Sequence, residues 1–304
     1  MDLAFQRRIK IITLTAIFGD DQFFKTFVLK GGSALDIAYG LSSRSSLDLD
    51  FSMAGEFSKE EFPEIKTRLE NALKERFEEE GYYLFDFCFE PKPEQISEEI
   101  ASFWGGYCVE FKLIEKDKAE KHVFDLEAMR RTAIEIGRVK KEGLDSKPQP
   151  SRKFPIDISR HEFTKRKDYK IIDNQDIAVY PPALIVIEKM RAICQQMTEY
   201  APIVKRSSGR PGGERAKDFY DIHLIMQKFE IDLTSEDNLS LLREVFDIKR
   251  VPLDFLEKIK DGREQHRMGF HTVQDTVERG KLDHDFDYYF DYVLSLVNQL
   301  KVHL

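Results

Sequence analysis

The chain has 304 residues, 41% of them hydrophobic and 34% charged, which leaves room for two domains with well-packed cores and fits a soluble surface. No apolar run approaches the roughly 20 residues that a spanning helix requires, so a membrane protein is not expected. The formal net charge of -8 argues against a nucleic-acid partner for the chain as a whole, yet residues 130–217 hold 20 Lys/Arg against 11 Asp/Glu, a basic stretch that could meet phosphates if its charges gather in space.

At the N-terminus, Arg7, Arg8 and Lys10 precede an apolar run over 11–18 that loosely imitates a secretory leader. Gly19-Asp20-Asp21 follows in place of a small-residue cleavage site, so an amphipathic helix is expected instead. Residues 25–30 read as a short strand, interrupted by Gly31-Gly32, with a helix starting over 33–39. Leu47-Asp48-Leu49-Asp50-Phe51 alternates apolar and acidic as a strand does. A helix is predicted over 58–80, ending at Gly81, then strands over 82–89 and 107–114. Residues 123–141 read as helical, 146–150 as a polar loop and 154–158 as another strand. After Tyr180-Pro181-Pro182 only helices are predicted, over 183–198, 214–229, 239–246, 252–260 and 288–302, with a mobile loop over 206–213. Cys88, Cys108 and Cys194 lie far apart and form no zinc pattern, so buried apolar thiols in a reducing cytoplasm are expected. The seven histidines form no catalytic pattern and are read as structural or surface groups. Trp104-Gly105-Gly106-Tyr107 reads as a hairpin turn with a packed Trp rather than a base-stacking site.

The chemistry concentrates around Lys30-Gly31-Gly32-Ser33 and Asp48/Asp50. A strand ending in two glycines lets the backbone approach a bulky anion, and Ser33 adds a hydroxyl donor. Asp48 and Asp50, two apart on a strand, share a face, and two close carboxylates repel unless a cation lies between them. Mg2+ prefers such oxygen ligands. Lys189, on a helix otherwise rich in Ile and Ala, could meet a triphosphate as a compact charge. Asp218 and Asp221, three apart, share a helix face, and one of them could accept a proton, orient a nucleotide or pair with Lys189. Asp157 and Glu110, both on predicted strands, compete for the role of third carboxylate. Arg44 either binds phosphate or braces the Asp loop.

Gly-Ser, a short helix and Asp-x-Asp on the next strand together resemble the DNA polymerase β-type nucleotidyltransferases. The fuller strings Leu29-Lys30-Gly31-Gly32-Ser33-Ala34-Leu35 and Arg44-Ser45-Ser46-Leu47-Asp48-Leu49-Asp50-Phe51 are similar to the AbiEii/AbiGii-type nucleotidyltransferases, the toxin halves of abortive-infection and toxin–antitoxin pairs. The Glu188-Lys189 helix, the Arg215-Ala216-Lys217-Asp218-Phe219-Tyr220-Asp221 stretch and the Phe154–Ser159 strand agree with that family.

The resemblance implies an α/β (α+β) polymerase β-like domain with a mixed sheet over 1–180, followed by an all-α helical bundle over 181–304, with the site between them. It implies NTP-dependent transfer of NMP with Mg2+, or Mn2+ in its place, held by Asp48 and Asp50. Lys189, Asp218 and Asp157 would join that pair in catalysis, while Gly32, Ser33, Lys30, Arg44 and Asp221 would bind the nucleotide. Asp157 is preferred over Glu110 on the family pattern. A tRNA 3′ end is the implied acceptor and an antitoxin the implied partner. Transfer onto a protein, or a degenerate fold that only binds nucleotide or RNA, are the alternatives.

Overall fold

The computed structural model describes residues 3–41, 48–122, 125–135, 137–139, 149–206, 211–277 and 282–303. Arg44, the predicted loop over 146–148 and the centre of the 206–213 loop lie outside the described residues.

A mixed seven-stranded sheet organises the first part of the chain. Its strands are β1 (Val28–Lys30), β2 (Leu49–Ser52), β3 (Tyr82–Lys92), β4 (Gly106–Glu115), then, after a small ribbon of β5 (Gly137–Val139) and β6 (Gln149–Ser151), β7 (Phe154–Ser159), β8 (Asp168–Ile172) and β9 (Gln175–Val179). The order is β3-β4-β7-β2-β1-β9-β8, with β7/β2 and β1/β9 parallel and the other neighbours antiparallel. Alternation decides which residues face where. Phe154, Ile156 and Ile158 are buried while Pro155, Asp157 and Ser159 lie on the more open face.

Helices α1 (Leu3–Phe18), α2 (Asp21–Thr26) and α4 (Phe62–Glu79) belong to the core of this layer. α4 buries Ile65, Leu69, Leu73 and Phe77, one residue per turn, as a single apolar stripe. α1 departs from the amphipathic expectation: from Ile12 to Phe18 every residue is buried, because the helix is packed among α4, α2 and β9. Between β1 and β2 the chain makes the short helix α3 (Gly31–Ser33), which continues into a π-helical turn over Ala34–Ala38. Small helices α5 (Glu98–Ala101), α6 (Lys116–Glu120) and α7 (Leu126–Thr132) connect the later strands.

The helix expected over 123–141 is shorter, spanning Leu126–Thr132. Asp125 caps the true start by accepting from the Ala128 amide at 2.8 Å. The chain leaves the helix after Thr132, and the Ile134 amide donates to the Leu113 carbonyl on β4, which β7 leaves open beyond Phe111. The β8–β9 hairpin went unforeseen. Its two-residue turn, Asp173-Asn174, has both residues at positive φ, 51° and 62°, as a tight hairpin turn requires.

Beyond Pro181 the chain is helical: α8 (Pro182–Cys194), α9 (Ala216–Lys228), α10 (Glu236–Ile248), α11 (Phe255–Lys258), α12 (Arg263–Arg267), α13 (His271–Thr276) and α14 (Phe286–Lys301). α8 is almost wholly buried, with α9, α10 and α11 packed around it. One apolar core runs from Ile9 to Leu300 through both parts. Among the described residues no helix is long and apolar enough to cross a membrane.

Candidate active site

The register of the sheet gathers the acidic residues. Lys30 on β1 stands opposite Asp50 on β2, Asp50 opposite Asp157 on β7, and Asp157 opposite Cys108 on β4. Opposite residues on neighbouring strands share a face, so Lys30, Asp50, Asp157 and Cys108 form one row across the sheet. Asp48 lies just before β2 and is exposed. The three aspartates border a cleft of about 1260 Å3, walled on the far side by residues of α8 and by the start of α9. Glu110 falls on a different row, opposite Pro155, and is paired with Lys153. It does not line the cleft as Asp157 does.

Crowding of like charge is visible in the carboxyls. Desolvation, with Asp48 and Asp157 adding to it against the opposing pull of Lys30, pushes the Asp50 carboxyl up to about 6. Asp48 is also raised, by desolvation and by Asp157, while Lys217, Lys10 and Lys92 pull the other way. Lys92 donates to Asp157 at 2.8 Å. Among the described residues no three acidic, His or Cys side chains already converge as a closed metal cage. Asp48, Asp50 and Asp157 are the hard oxygen donors that the cleft offers to a divalent cation.

Gly31 explains why the loop before this row carries glycine. Its φ is +68°, and a Cβ there would sit 2.6 Å from Oδ2 of Asp50. The backbone of Gly31 and Gly32 therefore lines the cleft with no side chain in the way. Ser33 has a different partner from the one expected: it is fully buried, and its hydroxyl donates to the Asp48 carbonyl at 2.6 Å. The hydroxyl braces the Asp48 backbone rather than facing the cleft.

Lys30 is likewise drawn inward. Its ammonium is 3.1 Å from Glu188 and 3.7 Å from Glu162. Burial alone would lower its pKa, but these carboxylates more than offset that and the net shift is upward. Arg191 binds Glu162 through both terminal nitrogens, at 2.9 and 3.2 Å, and Lys249 is 3.4 Å from the same carboxylate. This buried cluster ties β1, the segment after β7 and α8 together beneath the cleft. Sequence reasoning missed Glu162, Arg191 and Lys249 as its members, because nothing local marks the Glu162 carboxylate and partners that lie about 30 to 130 positions away from it.

Lys189 is neither a surface lysine nor isolated. It is buried, 2.7 Å from Asp218 and 2.8 Å from Asp221, and Arg215 reaches Asp218 at 3.4 Å. Lys189, Asp218 and Lys217 border the cleft opposite the aspartates, whereas Asp221 lies behind them, almost fully buried. His266 is buried and accepts from the Arg215 amide at 3.2 Å, with its pKa lowered by burial to about 4. Cys194 is buried as expected, but Cys88 and Cys108 are only half-buried on the open face of the sheet.

The profile of the nucleotidyl transferase AbiEii toxin family, of type IV toxin–antitoxin (TA) systems, matches residues 12–292. The chain belongs to the AbiEii family. It is therefore a nucleotidyltransferase, and membership of this toxin family implies an NTP substrate and an antitoxin partner. No curated protein matches the chain. Among solved structures, JHP933 from Helicobacter pylori is 15% identical with a TM-score of 0.48, covering 98% of this chain and 91% of that one. MenT4, the nucleotidyltransferase toxin Rv2826c from Mycobacterium tuberculosis H37Rv, is 13% identical with a TM-score of 0.47, covering 98% and 84%. In this AbiEii chain, the Gly31-Gly32 and Asp48/Asp50 segments and the α8 and α9 segments all lie within the matched residues.

Proposed function

We propose that this cleft transfers a nucleoside monophosphate from an NTP to a tRNA 3′ end in the cytoplasm, as a toxin restrained by its antitoxin. The observation that carries the reading is the register match of Asp50 with Asp157 beside Asp48, facing a wall that presents Lys189, Lys217 and Asp218. Residues 1–180 would then be the nucleotidyltransferase domain and 181–304 a helical domain that closes the cleft.

Asp48 and Asp50 would hold Mg2+, or Mn2+ in its place, with Asp157 beside them. The donor set fits such an ion, because hard oxygens that repel one another gain from a cation, and Mg2+ completes its shell with water and substrate phosphate. When bound, the metal supplies activation of the attacking hydroxyl and neutralises charge on the leaving pyrophosphate. The bare backbone of Gly31 and Gly32 lets the phosphates approach Asp50 closely. Asp157 accepts the acceptor hydroxyl's proton, and Lys189 and Lys217 offset phosphate charge from the helical side. Ser33 and Lys30 act by holding Asp48 and Asp50 in place, and Asp221 by fixing Lys189.

The test is to incubate the protein with Mg2+, total tRNA and each labelled NTP in turn. Label is expected on RNA, and is expected to disappear in Asp48→Ala. Label on protein alone, or label that survives Asp48→Ala, would overturn the proposal.

A further inference from the structure

The cleft has two chemically different ends. Along β4, Cys108 marks the row of Asp50 and Asp157, and Trp104 lies four residues earlier, at most about 13 Å away at strand rise. Along α8, Glu188 sits beside Lys30, and Gln195 lies seven residues on, about 10 Å further at helical rise. Both measures run from the acidic row toward the same region, where Trp104 meets Tyr200 with ring centroids 6.0 Å apart. Ile96, Ile100, Trp104 and Tyr200 border the cleft there, with the Gln195 and Gln196 side chains nearby. One end thus offers oxygen anions, and the other an apolar, aromatic wall with amide groups beside it.

The turn that carries Trp104 is held from several sides. The Trp104 amide donates to the Ile100 carbonyl at 2.9 Å, and the Arg160 amide donates to the Gly105 carbonyl at 3.0 Å. Lys249, buried 5.9 Å from the centre of the indole, donates to the carbonyls of Phe103 at 3.1 Å and Arg160 at 2.6 Å. Gly105 has a φ of +105°, and a Cβ there would lie 2.4 Å from the Arg160 guanidinium. The Trp104 indole is partly exposed and lies on the cleft wall. Here the fold fixes the backbone on both sides of Trp104 and leaves part of the ring open to the cleft.

We propose that Trp104 is the platform on which a nucleobase stacks while the phosphate being transferred sits at Asp48 and Asp50. Bases of any kind stack on an aromatic face, and Ile96, Ile100 and Tyr200 add apolar surface beside it. The inference rests on the nucleotidyl-transfer reading of the acidic end. The base belongs either to the NTP or to the last nucleotide of the acceptor; both present the same flat π-surface.

Trp104 is the only tryptophan in the chain, so its fluorescence reports on this site alone. The wild-type protein is titrated with each NTP, with inorganic triphosphate and with a short single-stranded oligoribonucleotide. Quenching by base-containing ligands but not by triphosphate is expected. Quenching by NTP assigns the platform to the donor, and quenching by oligoribonucleotide alone assigns it to the acceptor. In Trp104→Ala, KM for that ligand should rise about 5- to 150-fold with kcat little changed, and Trp104→Phe should recover most of the loss. The platform is overturned if fluorescence is unmoved at ligand concentrations that saturate pyrophosphate release, or if Trp104→Ala is folded with both KM values unchanged. Quenching without any nucleotidyl transfer would keep the platform and sink the transfer reading instead.

Discussion

Asp50 and Asp157 stand directly opposite each other on the parallel strands β2 and β7, so two carboxylates share one rung of the sheet. Asp48 lies two residues before Asp50 and, like Asp157, adds to the upward push on the Asp50 carboxyl. Desolvation and these neighbouring acids, against the pull of Lys30, disfavour the charged Asp50 carboxyl, so a cation or a proton there is favoured, and both effects can be measured.

The proton is the simpler case. Asp50 titrates near 3.8 when unperturbed and near 6 in the fold. A raised acid favours the folded state when protonated, so stability is lost as pH rises from about 4 to about 6 and stays lost above that. A displacement of that size corresponds to about 3 kcal/mol. Asp50→Asn should therefore raise the thermal midpoint at pH 7 without metal while abolishing nucleotidyl transfer. Mg2+ should raise the midpoint of the wild type and leave that of Asp50→Asn unmoved. Thermal denaturation of both proteins with and without Mg2+ checks this.

Metal-dependent activity should follow the opposite limb. Below pH 6 a proton on Asp50 competes with Mg2+, so the Mg2+ concentration for half-maximal transfer should rise about tenfold per pH unit lost. Initial rates across a Mg2+ series at pH 5, 6, 7 and 8 test it. A half-maximal Mg2+ concentration that is flat from pH 5 to 7 would contradict the position of Asp50.

Gly31→Ala carries two penalties at once. The backbone is left-handed at this position, and the added methyl meets Oδ2 of Asp50 at 2.6 Å. The backbone part alone costs on the order of 1 kcal/mol. The larger effect should be on function, because the carboxylate must move to admit the methyl. A fall in kcat of tenfold or more, in a protein that unfolds in urea only slightly earlier than wild type, is the expected result.

Lys189→Met should be far more damaging to the fold. It would remove the ammonium that both buried carboxylates, Asp218 and Asp221, meet within 2.8 Å. Breaking a buried pair from one side typically costs 3–5 kcal/mol. Asp218→Asn should cost less, since Lys189 keeps Asp221 and the amide can still meet Arg215. Equilibrium urea unfolding of the two variants should rank them in that order.

Much of the acidic site was legible because strand periodicity is a two-residue rule. Asp48-Leu49-Asp50-Phe51 declares its buried and open faces locally, and Phe154–Ser159 does the same for Asp157. Periodicity did not separate Asp157 from Glu110, since both alternate correctly, and Asp157 was preferred on the family pattern alone; the strand order puts β7, and with it Asp157, beside β2. The Ser33 hydroxyl was assigned by motif to phosphate, but its partner is a carbonyl 15 residues away that no spacing rule predicts. The β8–β9 hairpin carried a readable turn at Asp173-Asn174, and overlooking it concealed the strand that pairs with β1.

The buried cluster under the cleft gives the last prediction. Glu162 is held well below the usual carboxylate range: burial works against this, but Arg191, Lys30 and Lys249 outweigh it. A depressed acid contributes stability above its unfolded pKa, and that contribution is lost as pH falls through the unfolded value toward the folded one. Stability should thus decline as pH falls below about 4.5. Arg191→Met would remove the guanidinium that spans Glu162 and approaches Glu188 at 3.4 Å, leaving two buried carboxylates to share Lys30 and Lys249. A loss of 3–5 kcal/mol at pH 7 is expected, as for other buried pairs broken from one side. Adding Glu162→Gln to Arg191→Met should return part of that loss, because the stranded charge is then gone. Denaturant unfolding of the two single variants and the double variant measures the coupling, and strict additivity would show that the two residues do not act as a pair.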